Sequence, residues 1–307
     1  MTQKEKENLI KKILQRNELY LLQGSRLRRV LKDPFRTLWF YLLQSIAYVH
    51  PYKIEKKTLW GVPMSYYLPE ASMIYYYGFF EANLSIFLIN FLQEGDSFFD
   101  VGAHVGYYSM LASELVGKSG HIYSFEPTPR TFETLKENAG KKKNIVAFNR
   151  AVLHEEKTID FFDYGPKYSA FNTFQKRTSK EIFFKDLVQK VSVKTISLDK
   201  YVIKNSLRPD FIKIDAEGAE SLILESMATI LKDNKPVVTI EVSTVKEWEG
   251  NLARSFKIFK KYQYDCFEIT VAGKLIPCDP TEPRAYDNLL FVHPDKMSRL
   301  QKLIIPQ

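Results

Sequence analysis

The sequence has little cysteine and no long apolar run. Two cysteines in 307 residues are too few for a disulfide framework, so we expect reduced thiols and a cytoplasmic protein, although one pair remains open. The most apolar stretch, residues 35–49, includes Arg36 and is shorter than the roughly 20 residues that span a bilayer. The first residues, MTQKEKE, also lack the basic-then-apolar order of a signal peptide.

The net charge of +8 is unevenly distributed along the chain. Residues 1–57 contain 13 Lys and Arg against 5 Asp and Glu, which leaves 31 of each sign in residues 58–307. Residues 4–23 carry apolar positions at helical spacing with a basic opposite face. We therefore expect a basic, helical N-terminal segment that packs on the main domain. The alternatives are peripheral contact with the anionic inner face of a membrane, or self-association into a homo-oligomer.

From residue 84 onward, strand-like and helix-like segments alternate. This order predicts an α/β domain over residues 58–307, with a mostly parallel sheet and helices on both faces. An irregular, Lys-rich and aromatic region at about 152–195 interrupts the order and is expected to be inserted over one end of the sheet. The predicted strands are 97–101, 121–125, 145–148, 211–215, 237–242, 265–271 and 288–292. The predicted helices are 84–92, 107–116, 129–139, 217–231 and about 248–262.

The loop DVGAHVG, from Asp100 to Gly106, joins the first of these strands to a helix. Its G-x-x-x-G spacing, followed by Tyr107, differs from the G-x-G-x-x-G of dinucleotide sites and suits a ligand without phosphates. Glu126 ends the next strand, 20 residues after Gly106, where a carboxylate can accept hydrogen bonds from both ribose hydroxyls. Pro127 then bends the chain away. We predict a nucleoside site here, and a nicotinamide-dependent oxidoreductase is disfavoured by the missing third glycine.

A group of acids follows a later strand in DFIKIDAEGAE, residues 210–220. Asp215 ends this strand, and ligands of open parallel sheets lie outside such strand ends. Glu217 follows it, while the helix dipole accounts for Glu220. These acids together with Glu241 could form an oxygen site for Mg²⁺, but adjacent acids at a sheet end need not converge, so we expect no metal.

The motifs FFDVGAHVGYYS, IYSFEPTP, DFIKIDAEGAE, IEVS and DNLLFV, spread over residues 78–293, together resemble the FkbM family of methyltransferases. The resemblance implies a Rossmann-like sheet of seven strands, S-adenosylmethionine as methyl donor, and an oxygen of a sugar or natural product as acceptor. His104 stands where the family often has Asn. By position, the resemblance assigns cofactor contacts to Glu81 at the site entrance, Asp100, Gly102 and Gly106 in the loop, Glu126 at the ribose and Asn149 at the adenine edge. With their neighbours His104, Tyr107, Pro127 and Asp215, these form the predicted cofactor set.

The chemistry expected of these residues is methyl transfer to a hydroxyl. This needs alignment of the acceptor and a group that takes its proton, for which Asp215, then Glu217, then His104 are the candidates. A saccharide acceptor is favoured by tyrosines in residues 50–80 and 152–195, whose faces suit sugar rings. A non-catalytic scaffold is the alternative from another class. No nucleic-acid-binding module is recognised, so nucleic acid is not an expected partner.

Overall fold

The computed structural model describes residues 1–22, 24–166, 172–173, 188–242, 249–278 and 288–305. The described elements up to residue 91 are α1 (Gln3–Leu21), α2 (Arg26–Lys32), α3 (Pro34–Val49), β1 (Tyr52–Lys57), β2 (Pro63–Leu68), α4 (Ser72–Tyr77) and α5 (Ala82–Phe91). Thr2 and Glu5 form a capping box at the start of α1, and the Asp33 side chain caps α3, whose first residue is a proline.

The α/β part follows. Its elements as far as residue 163 are β3 (Ser97–Val101), α6 (Tyr107–Val116), β4 (His121–Phe125), α7 (Pro129–Ala139), β5 (Ile145–Phe148), β6 (Ala151–Val152) and β7 (Thr158–Asp163). The elements after residue 188 are β8 (Gln189–Ile196), α8 (Leu198–Lys204), β9 (Phe211–Ile214), α9 (Glu220–Glu225), a π-helical turn (Ile230–Asn234), β10 (Val237–Glu241), α10 (Glu249–Lys261), β11 (Asp265–Ile269), β12 (Leu275–Pro277), β13 (Asn288–Val292) and a 3-10 helix (Pro294–Arg299).

The main sheet has eight strands among the described residues, in the order β12-β11-β13-β10-β9-β3-β4-β5. The five strands from β10 to β5 are parallel, and β13 runs antiparallel between β10 and β11. The mostly parallel sheet is therefore confirmed, but the count of seven misses the three-residue edge strand β12. The last two predicted strands, β11 and β13, pair antiparallel, and β13 is an inner strand with all five residues buried.

The two faces of the sheet are covered by separate groups of helices. Phe98 and Phe99 are neighbours on β3 but belong to different apolar clusters, because successive side chains of a strand point to opposite faces. Phe98 packs on the side of α5 and α6, and Phe99 on the side of α8 and α9. Helices on both faces, as predicted, leave the strand ends as the open edge of the sheet.

The site lies where the chain direction across the sheet changes. From β3 the chain proceeds through β4 to β5 on one side, whereas β9 and β10 lie on the other side. Val101 is paired with Phe125 on β4 and with Ile214 on β9, so the carboxyl ends of these three strands coincide. Such a switch point opens a crevice for a ligand.

One predicted helix is wrong. Residues 217–231 were expected to be one helix, but α9 covers only Glu220–Glu225. Glu217 and Gly218 have positive φ values of 48° and 97°, which prevents a helix from starting there. The Glu220 carboxylate instead accepts hydrogen bonds from the N–H groups of Ala216 and Gly218, and so organises this turn.

The N-terminal segment packs on the α/β part, as the sequence favoured. Leu9 and Ile13 of α1 and Phe40 of α3 are buried in the same apolar cluster as α5 and β3. The expected boundary after residue 57 falls in the turn of a hairpin, because β1 pairs with β2 over its whole length. Among the described residues, no helix is both long enough and apolar enough to cross a membrane.

The insertion region contributes a separate sheet of three strands. Strands β6, β8 and β7 form it, with β8 between the other two. Asn172 and Thr173, which lie between β7 and β8, reach back to the main domain: Asn172 Nδ2 donates to Thr128 Oγ1 at 3.0 Å, and Thr173 Oγ1 donates to the carbonyl oxygen of Glu217 at 3.2 Å. Tyr168, one of the tyrosines expected near the acceptor, lies outside the described residues.

Candidate active site

A cavity of about 220 Å³ opens at the carboxyl ends of β3, β4 and β9. Of the residues predicted from the sequence, its walls contain Gly102, His104, Tyr107, Glu126, Pro127, Asp215 and Glu217. Four others do not line it: Glu81, Asp100, Gly106 and Asn149. The fold therefore brings most of the predicted set to one cavity and places the remainder behind its walls.

The glycines of the loop after β3 are required by the protein chain itself. Gly102 has a φ of +77°, and a Cβ there would lie 1.7 Å from the carbonyl oxygen of Asp215. Gly106 has a φ of +87°, and its Cβ would lie 2.7 Å from Leu135 Cδ1. At both positions protein atoms occupy the space that a side chain would need, so each glycine is required by its close packing as well as by its positive φ.

Glu126 joins the loops after β3 and β4. Its Oε2 accepts the backbone N–H of His104 at 3.0 Å, and its Oε1 accepts the N–H of Thr128 at 2.8 Å. Burial raises the pKa of this carboxyl, while the nearby His104 and the hydrogen bonds act in the opposite direction. The carboxylate lines the cavity, and its oxygens can accept hydrogen bonds from a vicinal diol such as the ribose of S-adenosylmethionine.

Asn149 supports the turn after β4. Its Nδ2 donates to the carbonyl oxygens of Glu126 and Pro127, both at 2.9 Å. Both amide hydrogens of the side chain are thus used in holding the segment that carries Glu126. The neighbouring residue Arg150, absent from the sequence-based set, lines the cavity at this end.

Asp100 lies beneath the cavity and is fully buried. Its Oδ2 accepts the Ser109 hydroxyl at 2.6 Å, and its Oδ1 lies 3.9 Å from Lys213 Nζ. Burial raises its pKa, partly opposed by the charge of Lys213. In this position Asp100 fixes the start of the loop and the first turn of α6.

Lys213 is a central residue that the sequence reasoning missed. Its side chain is 2% exposed, and its Nζ lies 2.9 Å from Asp215 Oδ2. Burial would lower its pKa, but the charges of Asp215 and Asp100 raise it above the ordinary value. The signal was a lysine in the middle of the otherwise apolar strand FIKI, since a buried lysine requires a partner of opposite charge.

Asp215, Glu217 and Glu241 form an acidic cluster whose carboxylate oxygens lie within 4.8 Å of one another. Burial would raise the pKa of Asp215, but Lys213 and a hydrogen bond from Glu241 lower it. Burial and the charge of Asp215 raise the pKa of Glu241 well above its usual value. The opposite directions of these two pKa shifts favour a proton on Glu241 over one on Asp215. The expectation that these acids need not converge is wrong, because β9 and β10 are adjacent parallel strands that end together.

His104 contacts a second buried ion pair. Its Nε2 lies 3.0 Å from Glu70 Oε1, and the other oxygen of Glu70 lies 3.1 Å from Arg130 Nη1. Burial would lower the pKa of His104, but the Glu70 hydrogen bond and charge, with Glu126 and Asp215, raise it. The protonated imidazole is thus favoured, which suits orientation better than proton abstraction. Sequence reasoning missed Glu70, which no motif marks in the segment after β2.

Glu81 lies behind the acidic cluster. Tyr108 Oη donates to its Oε2 at 2.5 Å, and Asn288 Nδ2 donates to its Oε1 at 2.8 Å. Burial, together with the charge of Asp215, raises its pKa to about 7. Glu81 thereby connects α5 and α6 to β13 and influences the charge of the site without lining the cavity.

The open sheet edge, the glycine loop after β3, the carboxylate at the end of β4 and the acids after β9 and β10 define a class, the S-adenosylmethionine-dependent methyltransferases. Residues 100–267 match the family described as Methyltransferase FkbM domain. This match covers more than half of the chain, and the chain belongs to that family. Membership decides against the nicotinamide-dependent alternative.

Similarity to individual proteins is more limited. The Hexuronic acid methyltransferase AglP of Haloferax volcanii is 27% identical over 146 residues, which cover 47% of this chain and 55% of that protein. A Protein-L-isoaspartate O-methyltransferase of Methanothrix thermoacetophila is 43% identical over 75 residues, 24% of this chain and 34% of that protein. The chain thus spans about half of the first relative and a third of the second.

Solved structures of the same class are also similar. The crystal structure of Methyltransferase FkbM from Methylobacillus flagellatus has a TM-score of 0.44 and 14% identity, with 66% of this chain and 44% of that chain covered. An S-adenosylmethionine-dependent O-methyltransferase of Thermotoga maritima has a TM-score of 0.40 and 12% identity, with 78% and 77% covered.

Proposed function

We propose that this protein transfers the methyl group of S-adenosylmethionine to a hydroxyl of a saccharide. The main observation that supports this proposal is a single cavity with two chemically different walls. One contains Gly102 and Glu126, which suit the nucleoside, and the other contains Asp215, Glu217 and Glu241, which suit an acceptor hydroxyl. The two cysteines support the cytoplasm as the compartment of the reaction.

The cofactor, when bound, supplies an activated methyl group on a sulfonium. The chain binds and orients the partners of the displacement. Glu126 accepts hydrogen bonds from the ribose hydroxyls, while Asp215 and Glu217 accept the hydroxyl of the acceptor and direct its oxygen. As the new C–O bond forms and the methyl–sulfur bond breaks to leave S-adenosylhomocysteine, the acceptor proton passes to a carboxylate of the acidic cluster. Lys213 keeps Asp215 ionised, and therefore able to accept a hydrogen bond, across the neutral pH range.

A saccharide acceptor is supported by the polar residues on the cavity wall and by the similarity to a hexuronic acid methyltransferase. Besides the acids, Glu70, His104, Arg150 and Asn172 line the cavity and can bind several hydroxyls at once. The tyrosines of residues 50–80 and 152–195 do not add to the support for a saccharide acceptor. Those that the structure describes lie outside the cavity wall, whereas Tyr107 and Tyr108 line it.

The cofactor site is tested with Glu126→Gln. This change keeps the shape of the side chain but removes the charge that strengthens its hydrogen bonds to the ribose. We expect the affinity for S-adenosylhomocysteine to fall by about 10-fold or more, measured by calorimetry. The matched control is Glu133→Gln, an exposed position on α7. Equal affinities of the two variants would contradict the role of Glu126.

The acceptor is tested by incubating the protein with S-adenosylmethionine and uronic acid glycosides. We expect release of S-adenosylhomocysteine together with a product that is heavier by one methylene group in mass spectrometry. Neutral hexosides and isoaspartyl peptides are the comparison acceptors. Turnover of the peptides without turnover of any glycoside would exclude the saccharide proposal, while leaving the cofactor site intact.

A further inference from the structure

Helices α2 and α3 leave a row of large apolar side chains exposed. We name this row the apolar ridge; it consists of Leu27, Leu31, Phe35, Leu38, Trp39, Leu42, Ile46 and Val49. Phe35 is 88% exposed and Trp39 is 56% exposed. The six ridge residues of α3 recur at helical spacing and occupy one face, whereas Thr37, Phe40 and Ala47 on the other face are buried. Both faces of α3 are thus apolar, and folding uses only one of them.

A contiguous row of this kind is unusual on a soluble monomer and marks an interaction surface. By comparison, Ile203 is 60% exposed and is the one large apolar residue of α8 that is exposed in the described structure. The ridge continues directly into a charged feature, because Trp39 also lines a neighbouring groove.

We name that groove the basic groove. It has a volume of about 500 Å³, and its charged lining residues are Lys12, Arg16, Arg36, Lys56 and Lys57. No acidic residue of the described chain lines it. Its walls come from α1, α3, β1, β2 and α4, and three of these elements, α1, α3 and β1, supply its five cations.

The cations of the basic groove are held close together without neutralising partners. Within the described parts of the chain, none of the five forms an ion pair with a carboxylate. Burial and the charge of Arg36 lower the pKa of both Arg16 and Lys56, and Asp33 offsets only part of this effect at Arg16. The Nη2 atom of Arg36 is buried and has no hydrogen-bond partner. A bound anion would neutralise these crowded cations and would accept a hydrogen bond from the unused donor of Arg36.

We propose that the apolar ridge and the basic groove form a docking surface for a bilayer with anionic headgroups. The ridge lies at the boundary between headgroups and acyl chains, and the groove takes a lipid phosphate. A bilayer is the occupant that offers both an apolar layer and a layer of negative charge. A second copy of the chain, docked ridge to ridge about a twofold axis, would bring two basic grooves towards each other.

The test uses the full chain and flotation with vesicles of phosphatidylcholine, with and without phosphatidylglycerol. We expect binding to the anionic vesicles that weakens with added salt, and a blue shift of tryptophan emission that Trp39→Phe abolishes. Loss of each charge near an anionic surface lowers binding about 5-fold, so the double variant Arg36→Gln with Lys56→Gln should bind about 30-fold more weakly.

Matched variants separate these effects from misfolding and from charge alone. Lys118→Gln with Lys194→Gln removes the same charge from exposed positions outside the groove, and should bind nearly as the wild type does. Phe35→Ser with Leu38→Ser should lose vesicle binding, whereas Ile203→Ser should not. Melting temperature and S-adenosylhomocysteine affinity serve as folding controls, and both should be unchanged in the ridge variants.

Two outcomes would overturn the proposal. One is equal vesicle binding by the groove variant and its charge-matched control. The other is a wild-type chain that does not bind vesicles but forms a dimer in light scattering, with Phe35→Ser and Leu38→Ser restoring the monomer. That result would assign the ridge to self-association.

Discussion

Removing the buried charge of Lys213 is the most direct test of how the site is balanced. Lys213→Met keeps the approximate length and apolar volume of the side chain but deletes its ammonium group. Asp215 then loses a partner at 2.9 Å, and Asp100, already fully buried, loses one at 3.9 Å. Breaking a buried pair by removal of one partner costs about 3–5 kcal/mol, and we expect this loss of unfolding free energy near neutral pH.

The loss should depend on pH with a definite sign. In the wild type, the raised pKa of Lys213 means that its contribution is present throughout the range below the ordinary lysine pKa. In the variant, the folded-state pKa values of Asp100 and Asp215 rise above their unfolded values. Stability is then lost as pH rises through that interval, by about 1.4 kcal/mol per pH unit for each carboxyl that titrates.

The assay is urea unfolding of both proteins at about pH 5 and about pH 8, with Lys194→Met as a surface control. We expect the variant to be destabilised more at the higher pH, and the control to remain within about 0.5 kcal/mol of the wild type. A destabilisation below about 1 kcal/mol, or an equal one at both pH values, would refute the assigned ion pairs.

Two further predictions concern the backbone at Gly102 and the titration of the Glu81 carboxyl. Gly102→Ala should cost about 2–5 kcal/mol of unfolding free energy, because its Cβ would meet the carbonyl oxygen of Asp215. The control Gly61→Ala has a similar φ but open space around its Cβ, and should cost about 1 kcal/mol. Similar urea midpoints for the two variants would contradict the close approach of Gly102 to Asp215. Glu81→Gln should stabilise the fold at about pH 8 by up to about 3 kcal/mol and leave it unchanged at about pH 4, because a folded pKa of about 7 costs stability as pH rises from the unfolded value through 7. The same effect at both pH values would argue against a buried, raised carboxyl.

Several elements could be predicted from the sequence with their boundaries. Strand β3 and helix α6 have the predicted ends because apolar strands, a glycine turn and a helical period follow one another without interruption. Helix α9 was wrong because the left-handed turn at Glu217 depends on hydrogen bonds from Glu220, which a periodic pattern does not encode. Strand β12 was missed because three residues are too few to show a period.

At the site, the position of a residue along its own strand could be predicted from the sequence, whereas contacts between residues of different elements could not. Glu126 is at the end of β4, as predicted from its distance to the glycine loop. Glu70 could not be predicted as a site residue, because it is 34 residues from His104 in the sequence and contacts it only in the folded chain. Asp215 and Glu241 meet because β9 and β10 are adjacent parallel strands, and the position of each acid at the end of its own strand does not establish that adjacency.

Helix α4 is the partition between the cavity and the basic groove, since Ile74 borders both. A helix with its side chains is about 10 Å across, so only one layer of protein separates the proposed reaction centre from the proposed lipid contact. A short saccharide attached to a membrane lipid would therefore be long enough to reach from the lipid contact to the cavity. A free sugar in solution would gain nothing from this arrangement, so the rate of methylation of one acceptor, compared with and without its lipid carrier, reports on how the protein is used.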